Sequence, residues 1–155
     1  MNNDNISAIF LRIAKLLQIK GESVFKISAY QNAAEIIRNH PQNITVLDAD
    51  ELKAIPGIGQ AIAEKIQEMG TTGKLHFLER LEAEIPPSLL AWLELPGVGP
   101  KTTALIWKTL GITTLDELYS AAQAGKLHRI PGIGEKLEEN ICAALKERRD
   151  TSGFN

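Results

Sequence analysis

The chain has 155 residues, 44% of them apolar, with 17 basic and 19 acidic side chains and a formal net charge of −2. That length suits one compact domain or two small ones, and no apolar run approaches a membrane span. The polar start Met1-Asn2-Asn3-Asp4-Asn5 lacks the basic region of a secretion signal, while the lone Cys142 excludes an internal disulfide and fits a reducing cytoplasm.

Ile6, Ile9, Phe10, Ile13, Leu16 and Leu17 recur at spacings of three and four, which predicts an amphipathic first helix stopped by Gly21. Val24, Ile27, Ala33, Ala34, Ile36 and Ile37 predict a second, ended by Pro41. Asp48-Ala49-Asp50 has the spacing of a metal-binding carboxylate pair, but before a short helix over 50–54 it reads as an N-cap and a first-turn acid. A helix over 60–69 follows, burying Ile62 and Ile66, and Gly70 and Gly73 break the chain after it. Leu75, Phe77, Leu78 and Leu81 predict another before Pro86-Pro87, which we take as the domain boundary. Beyond it come a short helix over 89–93, one over 101–110 burying Ala104 and Trp107, one over 115–124, and one over 135–148. Aromatics are few and no strand-like run occurs. The fold class is therefore all-α: two small helical subdomains, 1–85 and 86–150, with a frayed tail at 151–155.

One phrase occurs three times between these helices: Ile55-Pro56-Gly57-Ile58-Gly59, Leu95-Pro96-Gly97-Val98-Gly99 and Ile130-Pro131-Gly132-Ile133-Gly134. Proline ends one helix, and glycines accept backbone geometry that a side chain disfavours. The second glycine then opens the next helix, leaving backbone N–H groups free to hold a phosphate. The apolar members read as core. Gly57, Gly59, Gly97, Gly99, Gly132 and Gly134, with Lys101, Thr102 and Lys136 just beyond, read as the contacts to a nucleic acid backbone. Lys101 and Lys136 stand at helix starts, where a cation gains nothing from the helix dipole, which suits an anionic partner. Net charge leaves two readings open: basic residues clustered on one face, or binding that rests on backbone N–H groups. The phrases form a loose repeat of two-helix units, each needing neighbours to bury its apolar face.

The chain resembles the amino-terminal part of a family X DNA polymerase, the bacterial and archaeal relatives of polymerase beta, over roughly residues 5–148. The resemblance rests on Lys20-Gly21-Glu22-Ser23-Val24-Phe25-Lys26-Ile27-Ser28-Ala29-Tyr30, on the first hairpin with Ile62-Ala63-Glu64-Lys65-Ile66, and on the second and third hairpins. It implies a lyase-type domain with one helix-hairpin-helix, followed by a fingers-like domain with two. In that family the lysine matched by Lys65 is a Schiff-base nucleophile for 5′-deoxyribose phosphate, and Tyr30 and Lys26 line its pocket. Lys53 and Lys74 match nearby basic positions. Two departures stand out: Ala61 replaces a phosphate-pocket lysine, and Phe25 a histidine of the vertebrate enzymes. Bottom-up, a lysine is nucleophilic at neutral pH only where burial or cationic neighbours disfavour its ammonium, and here Ile62, Ile66 and Met69 are the expected shield.

The resemblance also implies a K⁺ or Na⁺ ion held by the hairpin carbonyls of Lys53, Ile55 and Ile58 and of Leu93, Leu95 and Val98, with His128, Ile130 and Ile133 as a third set. No cofactor is required. The polymerase palm would begin after residue 150, so polymerase activity is not expected of this chain alone. The expected function is sequence-independent binding of gapped, nicked or damaged duplex, with a hairpin on each side of a break. A deoxyribose-phosphate lyase using Lys65 and a protein-interaction module that has lost DNA are the alternatives. Expected partners are DNA and a separate polymerase or repair protein, without a membrane, in the cytoplasm on the nucleoid.

Overall fold

A computed structural model describes residues 1–151. Among them there is no strand, and no helix is long and apolar enough to cross a membrane. The chain divides into two compact units, the first spanning Met1–Glu84 and the second beginning at Ile85.

In the first unit, α1 (Asn3–Lys20) is capped by Asn2, whose side chain accepts the Asn5 N–H, and ends at Gly21 in the left-handed region. Its apolar stripe of Ile6, Phe10, Ile13, Leu16, Leu17 and Ile19 is buried, packing most extensively on α2 (Val24–Arg38). Each such side chain, fully buried, contributes roughly 1.5–3 kcal/mol. The buried Ser7 hydroxyl donates to the Ala34 carbonyl at 2.7 Å and ties α1 to α2. A short 3₁₀ turn, Ile44–Val46, leads to α3 (Ala49–Lys53). Asp48 is indeed its N-cap: it accepts the Glu51 N–H while Glu51 answers to the Asp48 N–H, a reciprocal capping box that occupies both carboxylates.

The first hairpin joins α3 to α4 (Gln60–Thr72), followed by α5 (His76–Glu84). α4 does not stop at Gly70, as glycine's poor helix propensity suggested; it runs on to Thr72 and closes at Gly73, φ +74°. Gly70 is there for space. A Cβ at that position would lie 3.1 Å from Thr45 Cβ, so the residue lets the 3₁₀ turn approach the helix, and tertiary packing outweighs propensity.

In the second unit, residues 87–94 form a 3₁₀ segment carrying the fully buried Trp92, then the second hairpin leads into α6 (Pro100–Leu110). The buried face of α6 is Thr103 and Ile106, whereas Ala104 and Trp107 are only half-buried. A polar threonine on the inner face had disguised the stripe. α7 (Leu115–Gln123), capped by Thr114, packs on α8 (Glu135–Thr151). Thr151 closes α8, and the rest of the expected tail, 152–155, lies outside the described residues.

Candidate functional site

The three hairpins are built alike. In each, the second apolar residue donates its N–H to the carbonyl of the first: Ile58 to Ile55 at 3.0 Å, Val98 to Leu95 at 3.1 Å, Ile133 to Ile130 at 3.0 Å. The intervening Gly57, Gly97 and Gly132 have φ of +94°, +78° and +97°, the left-handed region that favours glycine. Ile58, Val98 and Ile133 are buried and anchor the loops. Gly59 and Gly99 are extended, and all three second glycines hold the following helix by its first turn: Ala63 N–H bonds Gly59 O at 2.9 Å, Thr103 N–H bonds Gly99 O at 3.0 Å, Glu138 N–H bonds Gly134 O at 3.2 Å.

What separates the starts of α4 and α6 from those of α1, α2, α3 and α7 is the missing side-chain cap. Asn2, Ser23, Asp48 and Thr114 each offer a side-chain oxygen to the helix they precede. Gly59 and Gly99 offer none, so the first-turn N–H groups of α4 and α6 face outward with the positive end of the helix dipole behind them. The sites differ in detail. Pro100 removes one donor from α6, leaving those of Lys101 and Thr102, and α8 opens on the acidic Glu135. Lys101 and Lys136 are exposed beside their loops and Thr102 is half-buried; Lys53, at the end of α3, and Lys74, after α4, are also exposed. The Ile55 and Leu95 carbonyls each accept one turn hydrogen bond and retain a lone pair, which fits a loosely held monovalent cation. No group of three or more metal-ligating side chains occurs among the described residues.

The third hairpin carries a feature that its charge pattern concealed. Glu138 is a buried carboxylate that accepts the Leu127 N–H at 2.7 Å and the His128 N–H at 3.1 Å, with His128 Nδ1 at 2.6 Å from its other oxygen. Burial pushes its pKa up, but the hydrogen bonds from the His128 ring and from the two backbone groups outweigh it and hold the carboxyl below the usual range. Glu138 thereby ties α8 to the chain entering the loop.

A second site lies in the first unit. Lys65 is half-buried on α4, and Ile62, Ile66 and Met69 of the same helix are buried. Its Nζ lies 4.9 Å from the ring centroid of Phe77 and 5.9 Å from that of Tyr30. Those rings are stacked, 5.8 Å apart with 14° between their planes, and Tyr30 is held edge-on by Phe10 at 5.7 Å. Burial, together with the positive charges of Lys26 and Arg80, lowers the Lys65 pKa against the opposing pull of Glu64 and Glu68. Burial likewise pushes Tyr30 up to about 12, so its hydroxyl stays protonated. The cleft is open, about 250 Å³, and lined by Glu64, Lys65, Glu68, His76, Phe77 and Arg80. Of the residues expected here, Tyr30 and Lys65 meet and Lys26 acts through its charge, ion-paired to Glu22 at 3.8 Å. Phe77 and Arg80 were not anticipated. Only the i, i+3 spacing that puts both on one side of α5 hinted at them.

A helix-hairpin-helix domain model matches residues 1–75, and a SAM-like helix-hairpin-helix tandem model matches residues 89–147. The DNA polymerase/3'-5' exonuclease PolX of Bacillus subtilis (strain 168) is 33% identical over 147 residues, 95% of this chain and 25% of that protein. DNA polymerase lambda of Arabidopsis thaliana is 36% identical over 117 residues, 75% of this chain and 21% of that protein. The Holliday junction branch migration complex subunit RuvA of Acidovorax sp. (strain JS42) is 37% identical over 54 residues, 35% of this chain and 28% of that protein. The chain thus spans about a quarter of the length of these relatives.

Proposed function

This chain is homologous over most of its length to an amino-terminal helix-hairpin-helix region of the family X DNA polymerases, and from that premise we propose that it binds DNA without regard to sequence. The observation that carries the reading is the uncapped first turn of α4 and α6 behind hairpins of one geometry. Backbone N–H groups suit phosphate oxygens and read no base edge, so they position without specifying. The ligand we assign is duplex with a gap, a nick or other damage, whose broken backbone offers phosphates on separate segments. In this reading the carbonyls of Lys53, Ile55 and Ile58, and of Leu93, Leu95 and Val98, hold K⁺ or Na⁺, which screens the phosphate against the net negative protein. A separate polymerase or repair protein completes the reaction.

Fluorescence anisotropy on gapped duplex tests this directly. Ala61→Glu places an exposed carboxylate in the first turn of α4, where it suits the helix but opposes a phosphate. Weaker binding with unchanged helicity supports the reading. Equal affinity removes the first hairpin from the interface, and no binding by the parent chain at low salt leaves the interaction module.

The Lys65 cleft supports a second reading, a deoxyribose-phosphate lyase, because a half-buried amine beside two aromatic faces and near Lys26 and Arg80 is the environment that favours a neutral nucleophile. The amine bonds to C1′ of the open sugar and water leaves. The resulting iminium acidifies C2′–H, and loss of that proton breaks the C3′–O bond; hydrolysis of the imine restores Lys65. Borohydride trapping on gapped DNA with a 5′-deoxyribose phosphate gives an adduct that Lys65→Ala abolishes. An adduct persisting in that variant assigns the nucleophile elsewhere.

A further inference from the structure

Lys65 has two acidic neighbours on its own helix, yet its amine sits on neither. Glu64 Oε1 accepts from Gln60 Nε2 at 3.0 Å, and Glu68 Oε2 accepts the His76 backbone N–H at 2.7 Å, so each carboxylate is directed to another donor. Among the described residues, no carboxylate oxygen lies within ion-pair distance of Lys65 Nζ, and the nearer aromatic face is that of Phe77, at 4.9 Å. Phe77 in turn has a fixed base. It stacks on Tyr30, which is buried and braced against Phe10. The same Glu68 that is drawn off Lys65 anchors the first residue of α5, one position before Phe77.

We infer that Phe77 is the positioning residue of the Lys65 amine, its ring face holding Nζ at the cleft in place of a carboxylate. The assignment rests on the lyase reading for its purpose, though not for its geometry. The choice of partner matters chemically. A carboxylate would orient the ammonium but stabilise its proton strongly and occupy its donors. A ring face attracts the cation through its quadrupole, excludes water from one side and accepts no proton, so it aims the ammonium while leaving its donors free and its proton easier to lose than a carboxylate would. A flexible lysine side chain held near a reacting carbon gains rate from orientation alone.

Reductive methylation with ¹³C-formaldehyde labels the lysine amines, and the Lys65 resonance is identified by its loss in Lys65→Arg. Ring currents of Phe77 should displace that resonance upfield of the other lysines. Phe77→Leu keeps the apolar bulk and the helix but removes the π face; the displacement should then be lost, and borohydride trapping should fall by about tenfold while DNA affinity holds. Phe77→Tyr, which restores the face, should recover both, and it keeps the test valid if Phe77→Leu loses helicity. A displacement that survives in Phe77→Leu, or trapping that is unchanged once it is gone, overturns the assignment. If the parent chain traps no adduct although Phe77 controls the displacement, the lyase reading fails and the positioning contact stands.

Discussion

Gly57→Ala tests whether the first hairpin is fixed by backbone geometry, by space, or by both. Gly57 has φ +94°, and a Cβ there would lie 2.5 Å from Ile36 Cδ1, well inside contact distance. The left-handed backbone costs an L side chain roughly 1–2 kcal/mol. Displacing the end of Ile36, which borders a groove beside Asn32, Glu35 and Asn39, costs about 0.5–1.5 kcal/mol more, the middle of that range applying here. Stiffening the unfolded chain returns about 0.4–1 kcal/mol. The expected net loss is therefore about 2 kcal/mol. Gly21 (φ +87°), with nothing within 4 Å, and Gly132 (φ +97°), whose nearest atom is Leu105 Cδ2 at 3.7 Å, pay the backbone term alone, about 1 kcal/mol each. Urea unfolding followed by far-UV circular dichroism measures all three, with a constant m confirming that only stability has changed. Ile36→Val removes the clashing Cδ1, so the double mutant should show favourable coupling of about 1 kcal/mol and no more, since the backbone term remains. Equal losses in Gly57→Ala and Gly21→Ala, or zero coupling with Ile36→Val, would refute the steric half of the reasoning.

Lys101→Ala and Lys136→Ala should each lower the salt slope of DNA binding by about one, read from anisotropy between low and moderate salt. Glu135→Gln should raise affinity by removing the acid at the start of α8; unchanged binding would place the third hairpin outside the interface. Thr103 is fully buried, and its hydroxyl has no hydrogen-bond partner among the described residues. Thr103→Val should therefore stabilise by about 1 kcal/mol in a thermal melt, and a loss would reveal a bound water or other acceptor. Glu138→Gln addresses the acid range. Because the folded pKa of Glu138 is depressed, its contribution is complete above the ordinary carboxylate range and fades as pH falls through the lowered value; the variant should flatten that part of the stability curve.

The hairpins were legible because their chemistry is local. Pro56 restricts the backbone and Gly57 permits its left-handed step within five residues, and three copies of one phrase share one set of turn bonds. The same locality read Asp48 correctly as a cap, since its partner Glu51 stands three residues away. Apart from the polar Thr103 that disguised the buried face of α6, the misses involve partners outside the helix concerned. Gly70 looked like a helix stop because Thr45, the atom it makes room for, belongs to another segment. Glu138 drew no reading from the sequence, because the Leu127 and His128 N–H groups that close on it stand outside α8.

Lys65 shows the limit most clearly. Periodicity placed it beside Ile62, Ile66 and Met69, all of them buried, but could not show that its Nζ also faces the rings of Tyr30 and Phe77 from other elements. Those rings belong to α2 and α5, which the chain brings to α4 only on folding. The same reasoning explains why the two sites of the first unit ask different things of a sequence. A backbone phosphate grip needs only a glycine phrase and survives wide change around it, whereas a tuned amine depends on Phe77 and Tyr30 remaining stacked. In the lyase reading, loss of the stack should therefore lower borohydride trapping by about tenfold while leaving DNA affinity intact, so that activity and affinity separate under mutation of Phe77.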